Sequence, residues 1–298
     1  MASLRQLQIV VGRLFISHNI HAQTIPHAIN GARGLVSIAS SGKLVDVATN
    51  EKTGVSTVTL QRPPVNSLNL ELLQEFTATL DELRKSKSRG MILTSASPTV
   101  FSAGLDLLEM YRPKSDRIRL FWSKLQEMWL KLYGSTYPTV AAINGHSPAG
   151  GCLLALSCDY RVMVGPKYTI GLNETQLGII APRWFQDTML NTIPRRQAEL
   201  ALTTGRMFST EEALNVGLID EVATNKSDAI AKAESFLNNI AKIPASACQQ
   251  TKLQFRKEAL DNLKNNLDSD LQIFVGFLET PKIQKSLELY LESLKKKV

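Results

Sequence analysis

FSAGLDL (residues 101–107) and NGHSPAGGCLLAL (residues 144–156) are two glycine-bearing turns, each placed between a predicted strand and a predicted helix. The strands before them are read at 91–95 and 139–143, and the short helix after the second opens at Gly150 and Gly151. Two such turns in succession are the mark of an alternating α/β chain, in which binding groups gather where strands hand over to helices.

Working outward, alternation and β-branching mark strands at 44–48 and 55–60, with a turn over 50–54, so the chain opens with a hairpin. After Pro63 and Pro64, Ser67 or Asn69 can cap a helix whose Leu70, Leu73, Phe76, Leu80 and Leu83 recur at three- and four-residue steps. A second round follows: a helix over about 117–132, the strand 139–143, a short helix 150–156, and a strand 160–164. From about Pro194 the pattern reads as almost entirely helical. The last helix carries Ile283, Leu287, Tyr290 and Leu294 on one face, fit either for its own core or for a subunit interface. The fold class is therefore α/β with a substantially parallel sheet. Its domains are read as a leader (1–42), a core (43–225) and a C-terminal helical region (226–298).

The formal charge of +7 over 298 residues invites a nucleic-acid partner, but its distribution argues against one. Residues 1–42 hold Arg5, Arg13 and Arg33 and no acid, which leaves +4 on the rest, an ordinary surface. Leu4, Leu7, Val11 and Leu14 share one helical face with Arg5 and Arg13 off it, the pattern of a mitochondrial import segment. No apolar run approaches the roughly 20 residues that span a bilayer, so no stable membrane insertion is expected. Three cysteines without a C-x-x-C spacing indicate neither a disulfide framework nor a zinc site, and no metal is expected. Of four histidines only His146 lies outside the leader, which excludes a histidine cluster.

Each glycine turn alone is no more than a tight connection that frees backbone N–H groups. Together they suggest two donors converging on one oxygen, each worth roughly 3–4 kcal/mol to an anionic transition state. Such chemistry needs a base. Glu174, in IGLNETQLGI, has Ile170, Leu172, Leu177, Ile179 and Ile180 around it in sequence; an apolar wall would disfavour its charge and raise its pKa toward a useful range. On spacing alone it equally well caps the following turn.

The run FSAGLDL, the run from Asn144 to Arg161 that ends in DYR, GLNETQLGIIAP (171–182) and GRMFSTEEALNVGLIDEV (205–222) together resemble the ordered signatures of the crotonase, or enoyl-CoA hydratase/isomerase, superfamily, from Leu44 to the C-terminus. Within it the chain is most similar to the mitochondrial isomerase branch. The resemblance implies a crotonase-like spiral of ββα turns, a homotrimer built through the C-terminal helices, and a fatty-acyl-CoA thioester substrate. No cofactor is implied, CoA being part of the substrate. It implies an oxyanion hole of the Leu105 and Gly150 N–H groups and Glu174 as catalytic base. Ala103, Gly104, Leu105, Asp106 and Leu107, with Gly150 and Asn173, would line the substrate. Hydratases of the superfamily carry a second glutamate three residues after the oxyanion-hole glycine, where Leu153 stands here. A hydrocarbon cannot activate water, so the expected reaction is isomerisation of 3-enoyl-CoA to trans-2-enoyl-CoA in the mitochondrial matrix.

Other residues have plainer readings beside the functional one. Trp184 and Phe185 are candidates for an acyl tunnel or for simple core; Asp106 suits a helix N-terminus as well as a substrate contact. His146 is read as structural and Lys295–Lys297 as a solvated helix end. The rival functions are another crotonase-type reaction, hydration or thioester hydrolysis, and a non-catalytic or RNA-binding protein of the same fold.

Overall fold

The computed structural model describes residues 42–295; the leader reading and Lys296–Lys297 lie outside them. The opening hairpin pairs β1 (Val45–Asn50) with β2 (Val55–Leu60) antiparallel. Asn69 then caps α1 (Leu70–Lys85), its side chain accepting from the Leu72 N–H at 3.1 Å. Asn69, not Ser67, holds that position because its side chain reaches an otherwise unpartnered amide of the first turn. The chain continues through β3 (Gly90–Ser95), a one-turn α2 (Leu107–Met110), the long α3 (Ser115–Tyr133) and β4 (Thr139–Ile143). Next come β5 (Ser147–Pro148), α4 (Gly150–Ser157), β6 (Tyr160–Val164) and β7 (Thr169–Gly171).

Two sheets result. The larger has the order β1-β2-β3-β4-β6-β9, parallel except for β1, and its last strand is β9 (Glu221–Ala223). The smaller, β5-β7-β8, ends on β8 (Phe208–Ser209). These last strands correct the expectation of an almost wholly helical chain after Pro194. At two and three residues they are too short to show any periodicity, and they exist because neighbouring strands offer them a ladder.

Both faces of the central strands are buried, which is why β3 and β4 carry successive apolar residues, Met91–Leu93 and Val140–Ile143. Met91, Leu93, Ala141, Ile143 and Met163 face one core with α1, α3 and α4. Ile92, Val140, Ala142, Val162 and Val164 face the other, which is closed by Ala229, Ala233 and Leu237 of α8 (Lys226–Ile240). The alanines let α8 approach closely: a methyl group placed on Gly90 of β3 would lie 2.9 Å from Leu237 Cδ2. Around these layers run α5 (Arg183–Leu190), α6 (Arg195–Thr204), α7 (Thr210–Asn215), α9 (Ala245–Asn265), α10 (Leu267–Leu278) and α11 (Pro281–Lys295). Ile283 and Leu287 of α11 are buried in the chain's own core, and α11 packs on α2 and on the turn that carries Glu174. No described helix is long and apolar enough to cross a membrane.

Because α8 completes one face of the sheet, its packing should be inseparable from the fold. Leu237→Ala is expected to cost about 3 kcal/mol, as for other buried leucines, read in urea as a lower midpoint of one transition. A separate early transition for α8 would show that it does not belong to the sheet's cooperative unit.

Candidate active site

The segment after β3 runs extended beside residues 65–68. Ala103 N–H donates to Val65 O (2.9 Å), Leu68 N–H to Gly104 O (2.8 Å) and Asp106 N–H to Leu68 O (3.0 Å). Leu68 thus bridges the Gly104 carbonyl and the Asp106 amide on either side of Leu105, the parallel pattern in which the intervening residue's own N–H is turned away from its partner. Alternation along the segment buries Ser102, Gly104 and Asp106 and leaves Ala103, Leu105 and Leu107 partly open.

The second glycine turn meets the first at this point. Gly104 has φ 86°, a conformation free of strain only for glycine. A methyl group on it would stand 2.9 Å from the Gly150 nitrogen, and one on Gly150 would stand 3.3 Å from the Leu105 nitrogen. The two amides predicted as donors therefore come together, and neither donates to an acceptor among the described residues. Ala149, between β5 and α4, holds φ 49° and ψ −122°, a strained state that costs a non-glycine residue about 1–3 kcal/mol. It is held there from both sides: its N–H donates to Gly171 O (2.8 Å) and its carbonyl accepts from Leu153 N–H (3.0 Å). The strain turns the following peptide so that Gly150 begins α4 with its N–H unspent. Ala149 was not legible as a special position, since alanine carries no signal for positive φ.

From the far side, β7 leads through Leu172 and Asn173 into a single 3-10 turn, Glu174–Leu177, closed by Gly178 at φ 74°. The Glu174 side chain is 8% exposed, and neither of its carboxyl oxygens has a hydrogen-bond partner among the described residues; the same holds for Asn173 Oδ1. Buried polar atoms are nearly always paired, so three unpaired oxygens on adjacent residues mark a place built for a ligand. Burial pushes the Glu174 carboxyl up to about 7, with its own backbone amide pulling weakly the other way. Of the residues expected in an apolar wall, Ile170, Leu172 and Ile179 are buried and Leu177 is partly buried, but Ile180 is 68% exposed and takes no part in it. Cys152 of α4 lies near enough that, after burial, the Glu174 charge is the next cause holding its thiol well above the ordinary value. Beside it Leu153 is fully buried in apolar core.

Asp106 has structural work: its side chain caps α2 by accepting from the Leu108 N–H (3.0 Å) and pairs with Arg62 at 2.8 Å. His146 is buried, and its Nδ1 accepts from the Thr169 N–H at 3.2 Å, tying β5 to β7; burial pushes it down to about 4, so it stays neutral. Trp184 and Phe185 are buried in an aromatic stack, Trp184 lying 5.3 Å from Trp129 and 5.9 Å from Trp122 between ring centroids. Among the described residues no group of three or more His, Cys, Asp or Glu is placed to hold a metal ion.

Comparison with known proteins places the chain in a family. Residues 50–297 match the family described as enoyl-CoA hydratase/isomerase. The chain is 51% identical to the enoyl-CoA delta isomerase 1, mitochondrial, of Mus musculus over 272 residues, covering 91% of this chain and 92% of that protein. To its counterpart in Homo sapiens it is 49% identical over 244 residues, covering 81% and 80%. The crystal structure of human mitochondrial delta3-delta2-enoyl-CoA isomerase superposes with a TM-score of 0.82 at 48% identity, covering 85% of this chain and 98% of that one. With a family match over residues 50–297 and about half of its residues shared with these relatives over most of its length, the chain belongs to the enoyl-CoA hydratase/isomerase family.

Proposed function

We propose that the protein isomerises 3-enoyl-CoA thioesters to trans-2-enoyl-CoA, as an auxiliary step in the β-oxidation of unsaturated fatty acids. The observation that carries this reading is the buried, unpartnered Glu174 carboxyl group in a site that also offers the free N–H groups of Leu105 and Gly150.

In the proposed reaction the Glu174 carboxylate takes a proton from C2. The electrons of that C–H bond delocalise through the carbonyl and the adjacent C3=C4 bond, giving a dienolate whose charge rests on the thioester oxygen. The Leu105 and Gly150 amides stabilise that oxygen, a role worth roughly 3–4 kcal/mol per donor. Protonation at C4 by the same carboxyl group leaves the double bond between C2 and C3. A carboxyl group poised at about 7 suits both halves: it is ionised often enough to act as base, yet acidic enough to return the proton. All electrons and protons stay within substrate and Glu174, so the step as proposed draws on no cofactor. Leu153 supports isomerisation over hydration, because a buried hydrocarbon in that position has no means of activating water.

The acid-free, arginine-bearing residues 1–42 and the mitochondrial relatives support action in the mitochondrial matrix. A homotrimer through the C-terminal helices is supported by the large apolar side chains they present, Phe255 on α9 at 84% exposed and Ile273 on α10 at 73%. Phe255→Asp is expected to lower the sedimenting mass from trimer to monomer; a monomeric parent protein would defeat this part of the reading.

The purified protein should convert a 3-enoyl-CoA to the conjugated thioester, seen as rising ultraviolet absorbance, with little hydration of a 2-enoyl-CoA. Strong hydration would sink the assignment. Glu174→Gln should lower kcat by at least about a thousandfold, toward the upper range for general acid–base catalysis, with acyl-CoA binding largely kept.

The same substitution has a stability signature. Glu174 has its folded value raised from 4.5 to about 7, so between those values the folded chain holds a proton that the unfolded chain has released. Its contribution is therefore favourable at low pH and is lost as pH rises through that window. Replacing it with glutamine should stabilise the protein by roughly 3 kcal/mol at pH 8, a tenfold change in proton affinity being worth about 1.4 kcal/mol, and by little at pH 4.5. A pH-independent difference in urea midpoints would show that the carboxyl group is not raised.

A further inference from the structure

The helix α4 (Gly150–Ser157) presents its first amide to the site, and its last carbonyls lie at the opposite, buried end. Carbonyls in the last turn of a helix have no intrahelical partner and carry the negative end of its dipole. Here two guanidinium groups meet them. Arg256, reaching in from α9, donates through Nη1 to Ser157 O (3.3 Å) and through Nη2 to Cys158 O (3.3 Å), while Arg161 on β6 donates through Nη1 to Cys158 O (3.1 Å). Arg256 also donates to Tyr133 O at 2.7 Å and lies over the Tyr133 ring at 4.3 Å, so its position is over-determined.

The charges around that end do not cancel. Asp159 pairs with Arg256 at 3.0 Å and with Lys252 at 2.8 Å, and Asp220 pairs with Arg161 at 2.7 Å. Three cations face two carboxylates, an excess of one positive charge. The side chains of Arg256, Lys252 and Asp159 are 14% exposed and that of Arg161 is 9% exposed, so water screens the group poorly. At about 1.5 Å per residue, α4 is only some 12 Å long, a distance over which a poorly screened charge is still felt.

We propose that Arg256 is a positioning residue for the reaction: together with Arg161 it fixes the carboxyl end of α4 and sets the field that the Gly150 amide presents to the thioester oxygen. Charge develops on that oxygen only as the proton leaves C2, so a contribution of this kind acts on kcat more than on binding. A helix of the C-terminal region thereby takes part in catalysis from behind the site. The inference rests on the isomerase reading above.

The test uses the full-length protein with trans-2-enoyl-CoA labelled with 13C at the thioester carbonyl. Binding to the parent protein should move the carbonyl resonance downfield. Arg256→Gln is expected to lose part of that displacement and to lower kcat roughly tenfold, the effect of a unit charge across about 12 Å at an effective dielectric of about 20, with KM changed less than about twofold. Arg256→Lys, which keeps the charge, should recover most of both. Asp220→Asn keeps an acceptor for the Arg161 N–H but removes the charge opposing its guanidinium, and should move the resonance further downfield; it serves if Arg256→Gln does not fold. An unmoved resonance in the folded variants, a parental kcat in Arg256→Gln, or equal losses in its lysine and glutamine variants overturns the proposal. A parent protein that neither isomerises nor displaces the carbonyl overturns the underlying reading instead.

Discussion

The contact between Gly104 and Gly150 is the constraint on which the site depends. Two turns from successive crossovers approach until neither glycine can carry a side chain without meeting the other's backbone. Only at that separation do the Leu105 and Gly150 amides reach one place. The approach is enforced at some distance: the ladder of residues 103–106 on 65–68 holds one turn, and the small sheet holds the other through Ala149 and Gly171. The strain at Ala149 follows from the same requirement. A relaxed turn would direct the Gly150 amide elsewhere, and the ladders on either side are what keep the turn from relaxing.

Glu174 makes the complementary sacrifice. A carboxyl group buried without a donor destabilises the folded chain in its charged form, and the wall of Ile170, Leu172 and Ile179 does nothing to relieve it. The protein tolerates this because the rest of the core is extensive, with both faces of the large sheet closed. In the proposed reaction, stability given up at this residue becomes a proton affinity suited to moving a proton near neutrality. His146 shows that burial alone is no sign of function. It too is shifted by burial, but its ring nitrogen is satisfied by Thr169 and it stays neutral.

The α/β fold was legible because its signals are local: β-branched runs, a helix start with Ser67 or Asn69 as cap, and glycine turns at the ends of strands. What escaped was set by partners distant in sequence. β9 exists because β6 offers it an edge, and no pattern within three residues could announce that. Ile180 was expected in the apolar wall because its neighbours are apolar, yet the chain has left the 3-10 turn by then and points it outward. Within the candidate site, residue type could only nominate the two glycine turns and Glu174, whose roles came from the family resemblance, whereas the strain at Ala149 carried no signal at all, since it comes from the ladders on either side.

The same distinction bears on the C-terminal helices. Read along the chain they look like an appendage after a finished core, but in space three of them address the site from different sides. α8 closes the back of the sheet whose strand ends carry the turns, α9 supplies Arg256 to the rear of α4, and α11 lies on the Glu174 turn and on α2. Gln284 of α11 donates to Met110 O at 3.0 Å and accepts from the Arg112 N–H at 2.8 Å, so the helix is fastened to the end of α2 by directed bonds as well as by packing. An element joined to a site in this way cannot move without moving the groups it touches. Changes in α9 or α11 that leave every predicted site residue intact will therefore still be felt at the carbonyl end of α4, at α2 and at the turn of Glu174.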